Sequence, residues 1–204
     1  MWQGEQFPVF HDWFYIHFLE NPGMAFGLEF GGEWGKLALS LFRILAVVII
    51  GRYLWQFIKA DFHKGFIICA SMVMAGAMGN IIDSAVYGLI FSESAPIPGF
   101  YATLFPEDGG YAPFLMGKVV DMLYFPLFSF YWPEWVPFIG GDRFEFFRPV
   151  FNIADSAISV GLALIIIFQK RFFGKDRSLK EALQGNATES SEGEEAPTDQ
   201  EASS

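Results

Sequence analysis

The stretch RPVFNIADSAISVGLALIIIFQKRFF, Arg148 to Phe173, decides the fold. Behind Asp155 it runs apolar to Phe168 and then turns basic, as a helix does when it crosses a bilayer and stops at the cytoplasmic rim. A carboxylate this close to hydrocarbon costs roughly 2.5 to 3.5 kcal/mol on insertion scales, so Asp155 is a functional candidate that needs a partner elsewhere in the chain.

The composition agrees with a membrane protein. The chain has 204 residues, 52% of them hydrophobic and 19% aromatic, and 25 of them are Phe. That is too apolar for an ordinary soluble domain of this size. The net charge of -10 belongs mainly to the tail, since Glu181 to Ser204 holds seven acids and no Lys or Arg. That tail has almost no large apolar residue to offset its ordering entropy, so residues 174–204 are expected to be an acidic, disordered, cytoplasmic segment. Within it Asn186-Ala187-Thr188 matches a sequon, a pattern a solvated linker also produces. Cys69 is the lone cysteine and sits in an apolar run, where a small buried hydrophobe is its expected role. The histidines His11, His17 and His63 lack ligand spacing. No metal, cofactor or nucleic-acid partner is expected.

Two more segments, Leu37 to Ile58 and Phe66 to Phe91, are long and apolar enough to span. With Ile153 to Phe168 they make a membrane α-helical bundle of three spans. Arg52, Lys59 and Lys64 flank the link between the first two, and Lys170, Arg171, Lys175, Arg177 and Lys180 follow the third. The excess of basic residues puts that link and the C-terminus in the cytoplasm. Residues 1–36 then fall outside, as does the connection 92–150 that interrupts the core of residues 37–173. Nothing in residues 1–36 reads as an export signal, so an upstream span is expected.

The N-terminal segment PVFHDWFYIHFLENPG, Pro8 to Gly23, is aromatic and β-branched up to Leu19 and then broken by Asn21-Pro22-Gly23, which reads as a strand and a turn. Open strand backbone cannot face lipid, so a small extracytoplasmic β-sheet is expected at the outer interface. The outer loop is rich in Pro, Gly and aromatics, notably FYWPEWVPF from Phe130 to Phe138, where Tyr131, Trp132 and Trp135 suit the headgroup belt. Arg43 lies well inside the first span, where it either snorkels or pairs with a carboxylate.

Three polar motifs converge on the outer end of the spans. GAMGNIIDSAVYG carries Asn80 and Asp83, GKVVDMLYFP carries Asp121, and FNIADSAISVG carries Asn152 and Asp155. The spacing Asn-x-x-Asp occurs twice and places both polar groups on one helical face. Taken singly, Asn152 reads as an N-cap and Asp155 as a first-turn acid favoured by the helix dipole. Repetition at one membrane depth is harder to read as capping alone.

On these motifs the sequence resembles the bacterial signal peptidase II family, the lipoprotein signal peptidases. ENPGMAFG (Glu20 to Gly27) is similar to the family's Asn-x-Gly-x-Ala-Phe element, GNIIDS to its Gly-Asn-x-x-Asp-Arg element, VVD to its Val-Val-Asp-Phe element, and FNIADSAISVG to its Phe-Asn-x-Ala-Asp-Ser box. The resemblance implies a four-span intramembrane aspartyl endopeptidase of the inner membrane that works at the extracytoplasmic face. It cuts prolipoproteins just before a diacylglyceryl-modified Cys. It implies Asp121 and Asp155 as the catalytic pair, with Asn21, Gly23, Asn80, Asp83, Asn152 and Ala154 binding substrate or supporting the site. Its expected partners are prolipoprotein and membrane lipid, and its expected state is a monomer. Ser84 stands where the family has Arg, the interval from Asp83 to Asp121 is long, and the family's first span with its Asp-x-x-x-Lys has no counterpart here. A small transporter would place acids along a midplane path or in an internal repeat, and neither is present. A non-catalytic scaffold leaves the repeated Asn-x-x-Asp without a role.

Overall fold

The computed structural model describes residues 1–11, 13–22 and 32–174. Gly23 and almost all of the expected tail lie outside the described residues. Two long apolar helices, α1 (Gly32–Lys59) and α2 (Lys64–Ile90), form a hairpin, and a shorter one, α3 (Ile153–Ile167), packs along α2. They coincide with the three expected spans within a few residues. At 15 residues α3 is about 22 Å long, against about 40 Å for α2, and is followed by a short α4 (Gln169–Phe173).

Small residues let α2 and α3 approach closely, as they do wherever apolar helices pack without a hydrophobic driving force between them. A Cβ on Gly76 would lie 2.3 Å from the Ala154 carbonyl oxygen, and one on Gly161 would lie 2.7 Å from that of Cys69. At the basic end the turn between α1 and α2 is filled by Phe62, which is 1% exposed and contacts Phe57, Phe66 and Phe173.

The opposite end carries a four-stranded antiparallel sheet in the order β1-β2-β3-β6. The N-terminal run is a hairpin rather than one strand. β1 (Gln6–Phe10) and β2 (Phe14–Asn21) are separated at His11, which adopts φ 43°. The connection 92–150 supplies the rest, namely β3 (Val119–Tyr124), the ribbon β4 (Phe128–Tyr131) with β5 (Arg143–Phe146), and β6 (Val150–Phe151). β3 pairs with both β2 and β6, which ties the N-terminal segment to the start of α3.

The first part of the connection closes the end of α2. The last carbonyls of a helix lack intrahelical donors; here Ala112 N–H donates to Gly88 O, Phe105 N–H to Ile90 O and Tyr111 N–H to Phe91 O. Gly117 N–H reaches Ser84 O, and the Ser40 hydroxyl of α1 donates to Leu115 O. The insertion thus clasps both long helices and delivers the chain to β3.

Candidate active site

β3 places Asp121 on the sheet face turned toward α2 and α3, with the residue 3% exposed. Its two oxygens accept from two amides: Asn21 Nδ2 of β2 at 3.1 Å and Asn152 Nδ2 at 2.9 Å. Asn152 is the N-cap of α3, and it forms a full capping box with Asp155, its side-chain oxygen accepting from Asp155 N–H at 2.9 Å while Asp155 Oδ2 accepts from Asn152 N–H at 3.3 Å. The same Nδ2 also donates to Asn80 Oδ1 at 3.1 Å, and Asn80 Nδ2 donates to Asp155 Oδ1 at 2.8 Å. Asn21, Asn80, Asp121, Asn152 and Asp155 therefore form one network drawn from four elements.

The remaining residues named from sequence sit around it. Asp83, one turn above Asn80, is hydrogen-bonded to the Val120 backbone and to Tyr87, and it couples to Asp155 through charge alone. Ala154 contributes its close approach to Gly76 and Gly79 rather than a polar group. Ser84, where the resemblance expects Arg, is buried, and its hydroxyl donates back to Asn80 O at 3.0 Å. Arg43 of α1 interacts electrostatically with Asp155 across the bundle, the partner the sequence left open.

Burial and charge act together on Asp121. Burial pushes the Asp121 carboxyl up to about 6; the hydrogen bonds from Asn21 and Asn152 oppose that push, and Asp155 and Asp83 add like-charge repulsion. Asp155 lies in the first turn of α3, where its oxygens accept from Asn80 Nδ2 and Asn152 N–H. A buried carboxyl with raised proton affinity, joined in one hydrogen-bond network to a second carboxyl, is an arrangement able to carry paired acid and base chemistry on a bound amide. Among the described residues no three His, Cys, Asp or Glu side chains gather to hold a metal ion.

Sequence reasoning missed the flank of β3. Lys118 Nζ pairs with Glu20 Oε2 at 2.8 Å, the Ser94 hydroxyl donates to the other Glu20 oxygen, and Lys118 N–H donates to the Tyr111 hydroxyl at 2.7 Å. The only hint was that Lys118 directly precedes Val119-Val120-Asp121. A cavity of 280 Å³ beside this pair is lined by Phe18, Tyr87, Phe91, Tyr111, Val120 and Met122. Val120 and Met122 alternate with Asp121, so the cavity lies on the other face of the sheet from the carboxylates.

Comparison with known proteins identifies the family of the chain. Residues 1–171 match the Signal peptidase (SPase) II family of aspartic peptidases. The chain is 49% identical over 181 residues to a lipoprotein signal peptidase of Porphyromonas gingivalis, covering 88% of this chain and 77% of that one. It is 37% identical over 166 residues to a lipoprotein signal peptidase of Amoebophilus asiaticus, covering 79% and 64% of the two chains. A solved bacterial membrane enzyme, determined by the in meso method at 2.3 Å, superposes with a TM-score of 0.51 at 24% identity over 86% of this chain and 76% of that one, a likeness of fold. Together, the match over residues 1–171 and the identity to these relatives place this chain in the signal peptidase II family, the aspartic peptidases that remove signal peptides from prolipoproteins.

Proposed function

We propose that Asp121 and Asp155 are the catalytic pair, and that the bond they cut lies just before the diacylglyceryl-modified Cys of a prolipoprotein. The observation that carries this reading is Asn152, whose single amide bonds Asp121, Asn80 and the backbone of Asp155 at once. It locks two acids from a strand and a helix into one unit, which a pair of independent caps would not require.

In this reading Asp121 is the acid and Asp155 the base. Asp155 accepts a proton from a water molecule as that water attacks the scissile carbonyl carbon, and Asp121 donates its proton to the carbonyl oxygen. Collapse of the resulting tetrahedral diol breaks the C–N bond. The proton gathered on Asp155 goes to the departing amine of the lipidated Cys, and a diol proton returns to Asp121. Entry of the substrate excludes water from the site and deepens the burial of Asp121, which raises its proton affinity further, toward the protonated form this step requires.

The chemistry takes place within the outer half of the membrane. Ala154 packs beside Gly76 and Gly79, and these lie 12 and 15 residues above Lys64, or about 18 to 22 Å. Against a hydrocarbon core of about 30 Å this sets the carboxylates several ångströms below the outer boundary. That depth accounts for the short α3, which begins at the site and has only the remaining thickness to cross. The sheet faces the extracytoplasmic side, the α1–α2 turn and the C-terminus face the cytoplasm, and α1, α2 and α3 act as three of the four spans the family resemblance implies, in a monomer surrounded by lipid.

Cleavage of a purified diacylglyceryl prolipoprotein tests the assignment. Asp121→Asn and Asp155→Asn are each expected to abolish turnover while the protein stays inserted and folded, because Asn keeps the shape and removes the titratable group. Substantial cleavage by either variant removes that residue from the pair.

A further inference from the structure

The ribbon of β4 and β5 is amphipathic in a way the catalytic site does not use. Its register pairs Phe128 with Phe146 and Phe130 with Phe144, all on one face, and Ser129 with Glu145 and Tyr131 with Arg143 on the other. The aromatic face is a continuous stack. Phe128 lies 4.8 Å from Phe146 and Phe130 lies 4.9 Å from Phe144, with Trp132 set edge-on against both Phe130 and Phe144. On the polar face Arg143 donates to the Ser129 hydroxyl at 3.2 Å. Among the described residues β4 and β5 pack extensively only on each other. A lone two-stranded ribbon is marginally stable in water, so an unpartnered stack of this kind calls for a surface to lie on.

We infer that the β4–β5 ribbon is an interfacial anchor whose aromatic face and tip are seated in outer-leaflet phospholipid. The ribbon leaves the sheet from β3 and β6, the strands that hold Asp121 and adjoin Asn152, so its feet are tied to the strands that carry the site. Four residues of strand rise about 13 Å, and the headgroup zone of one leaflet is about 5 to 8 Å thick. A ribbon of that length standing on these strands is long enough to reach that zone. Ring contacts join its foot to the rest of the sheet without a break, from Phe147 to Phe151, Phe125, Phe14, Trp13 and Phe10. At the tip Trp135 is 81% exposed, and Phe138 is wholly exposed in a left-handed conformation, φ 68°, that a bulky side chain adopts at a cost no internal contact offsets. Trp and Phe at the tip, with Tyr131 and Arg143 on the polar face, match the chemistry of the boundary between acyl chains and phosphates. The inference rests on the membrane placement proposed above and not on which aspartate does what.

The test uses the full chain in vesicles of phosphatidylethanolamine and phosphatidylglycerol. Cys69, the lone cysteine, is replaced by Ala, and an environment-sensitive dye is attached at Phe138→Cys, at Trp135→Cys, or at Ser129→Cys on the polar face. The expected result is blue-shifted emission at positions 138 and 135, quenched by phospholipid spin-labelled near the glycerol and shielded from iodide in the water, with the reverse at position 129. Equal iodide access at all three positions with no lipid quenching overturns the anchor. Shielding that rises with protein density in the vesicle overturns it in favour of a second copy, and shielding that requires added prolipoprotein overturns it in favour of a substrate clamp. No cleavage is measured, so failure of the anchor and failure of the aspartate assignment are separate results.

Discussion

At Asp121 the fold sets burial against hydrogen bonding, and burial wins, raising the carboxyl from the ordinary value of 3.8 to about 6. A carboxyl raised in this way binds its proton more tightly in the native state than in the unfolded one. Its contribution therefore stabilises the fold progressively as the pH falls from above about 6 toward 4, and it penalises the fold above 6, where the buried group is charged. Two units correspond to a penalty on the order of 3 kcal/mol. Asp121→Asn removes it at modest cost in geometry, since Asn152 can still donate to the new side-chain oxygen while Asn21 turns its own oxygen toward the new amide. Thermal unfolding in detergent is the check. The wild type is expected to gain stability between pH 7 and pH 5, and Asp121→Asn to lose most of that gain and melt higher at pH 7; identical profiles would show that Asp121 does not carry the raised value. At this scale spacing is the legible signal. Asn80, Asn152 and Asp155 were found through Asn-x-x-Asp, and the structure joins them. Capping and contact with the second carboxylate are not alternatives for Asn152, because its amide oxygen faces the helix and its nitrogen faces β3. The Glu20–Lys118 pair, separated by 98 residues, had no local signal to announce it.

Among the elements, the helices were legible because continuous apolar runs leave few choices in a bilayer. The strands were less so. The run from Pro8 to Leu19 has strand composition throughout, and only the positive φ at His11 reveals the hairpin. β6 is two residues long and exists through its pairing with β3. What holds the carboxylates in place is the α2–α3 contact, and its weak point is Gly76. A methyl group there would overlap the Ala154 carbonyl, so α3 must move outward, stretching the 2.8 Å bond from Asn80 to Asp155 and the 3.1 Å bond from Asn152 to Asn80. Gly76→Ala is expected to cost about 1 to 3 kcal/mol through overpacking and to lower kcat sharply. Gly51→Ala in α1 meets only the Met74 sulfur at 3.5 Å, an ordinary contact, and is expected to leave both melting and turnover near wild type. If the two variants behave alike in melting and in turnover, the close approach of α2 and α3 does not set the site.

For the molecule as a whole, the sheet decides which side of the membrane the chemistry faces. β2 pairs with β3 and β3 with β6, so the N-terminal hairpin, the insertion and the start of α3 must share one side. The insertion is bound to the far end of α2 by Gly88, Ile90 and Phe91 carbonyls, whereas the turn between α1 and α2 lies against Phe172 of α4 through His63 and Phe66. Arg52, Lys59, Lys64, Lys170 and Arg171 all cluster toward that second end. In the topology proposed above, basic residues next to spans stay in the cytoplasm, and the sheet and the carboxylates face outward. Two single-cysteine variants in a Cys69→Ala background read this directly. Asp108→Cys lies at an exposed loop position of the insertion and Gln169→Cys at the exposed start of α4. In intact cells a membrane-impermeant maleimide is expected to label position 108 and to reach position 169 only after permeabilisation. Because strand pairing fixes the whole sheet to the side of the insertion, labelling of position 108 from the cytoplasm would move both aspartates inward, away from where a lipid-modified precursor presents its cleavage site in this mechanism.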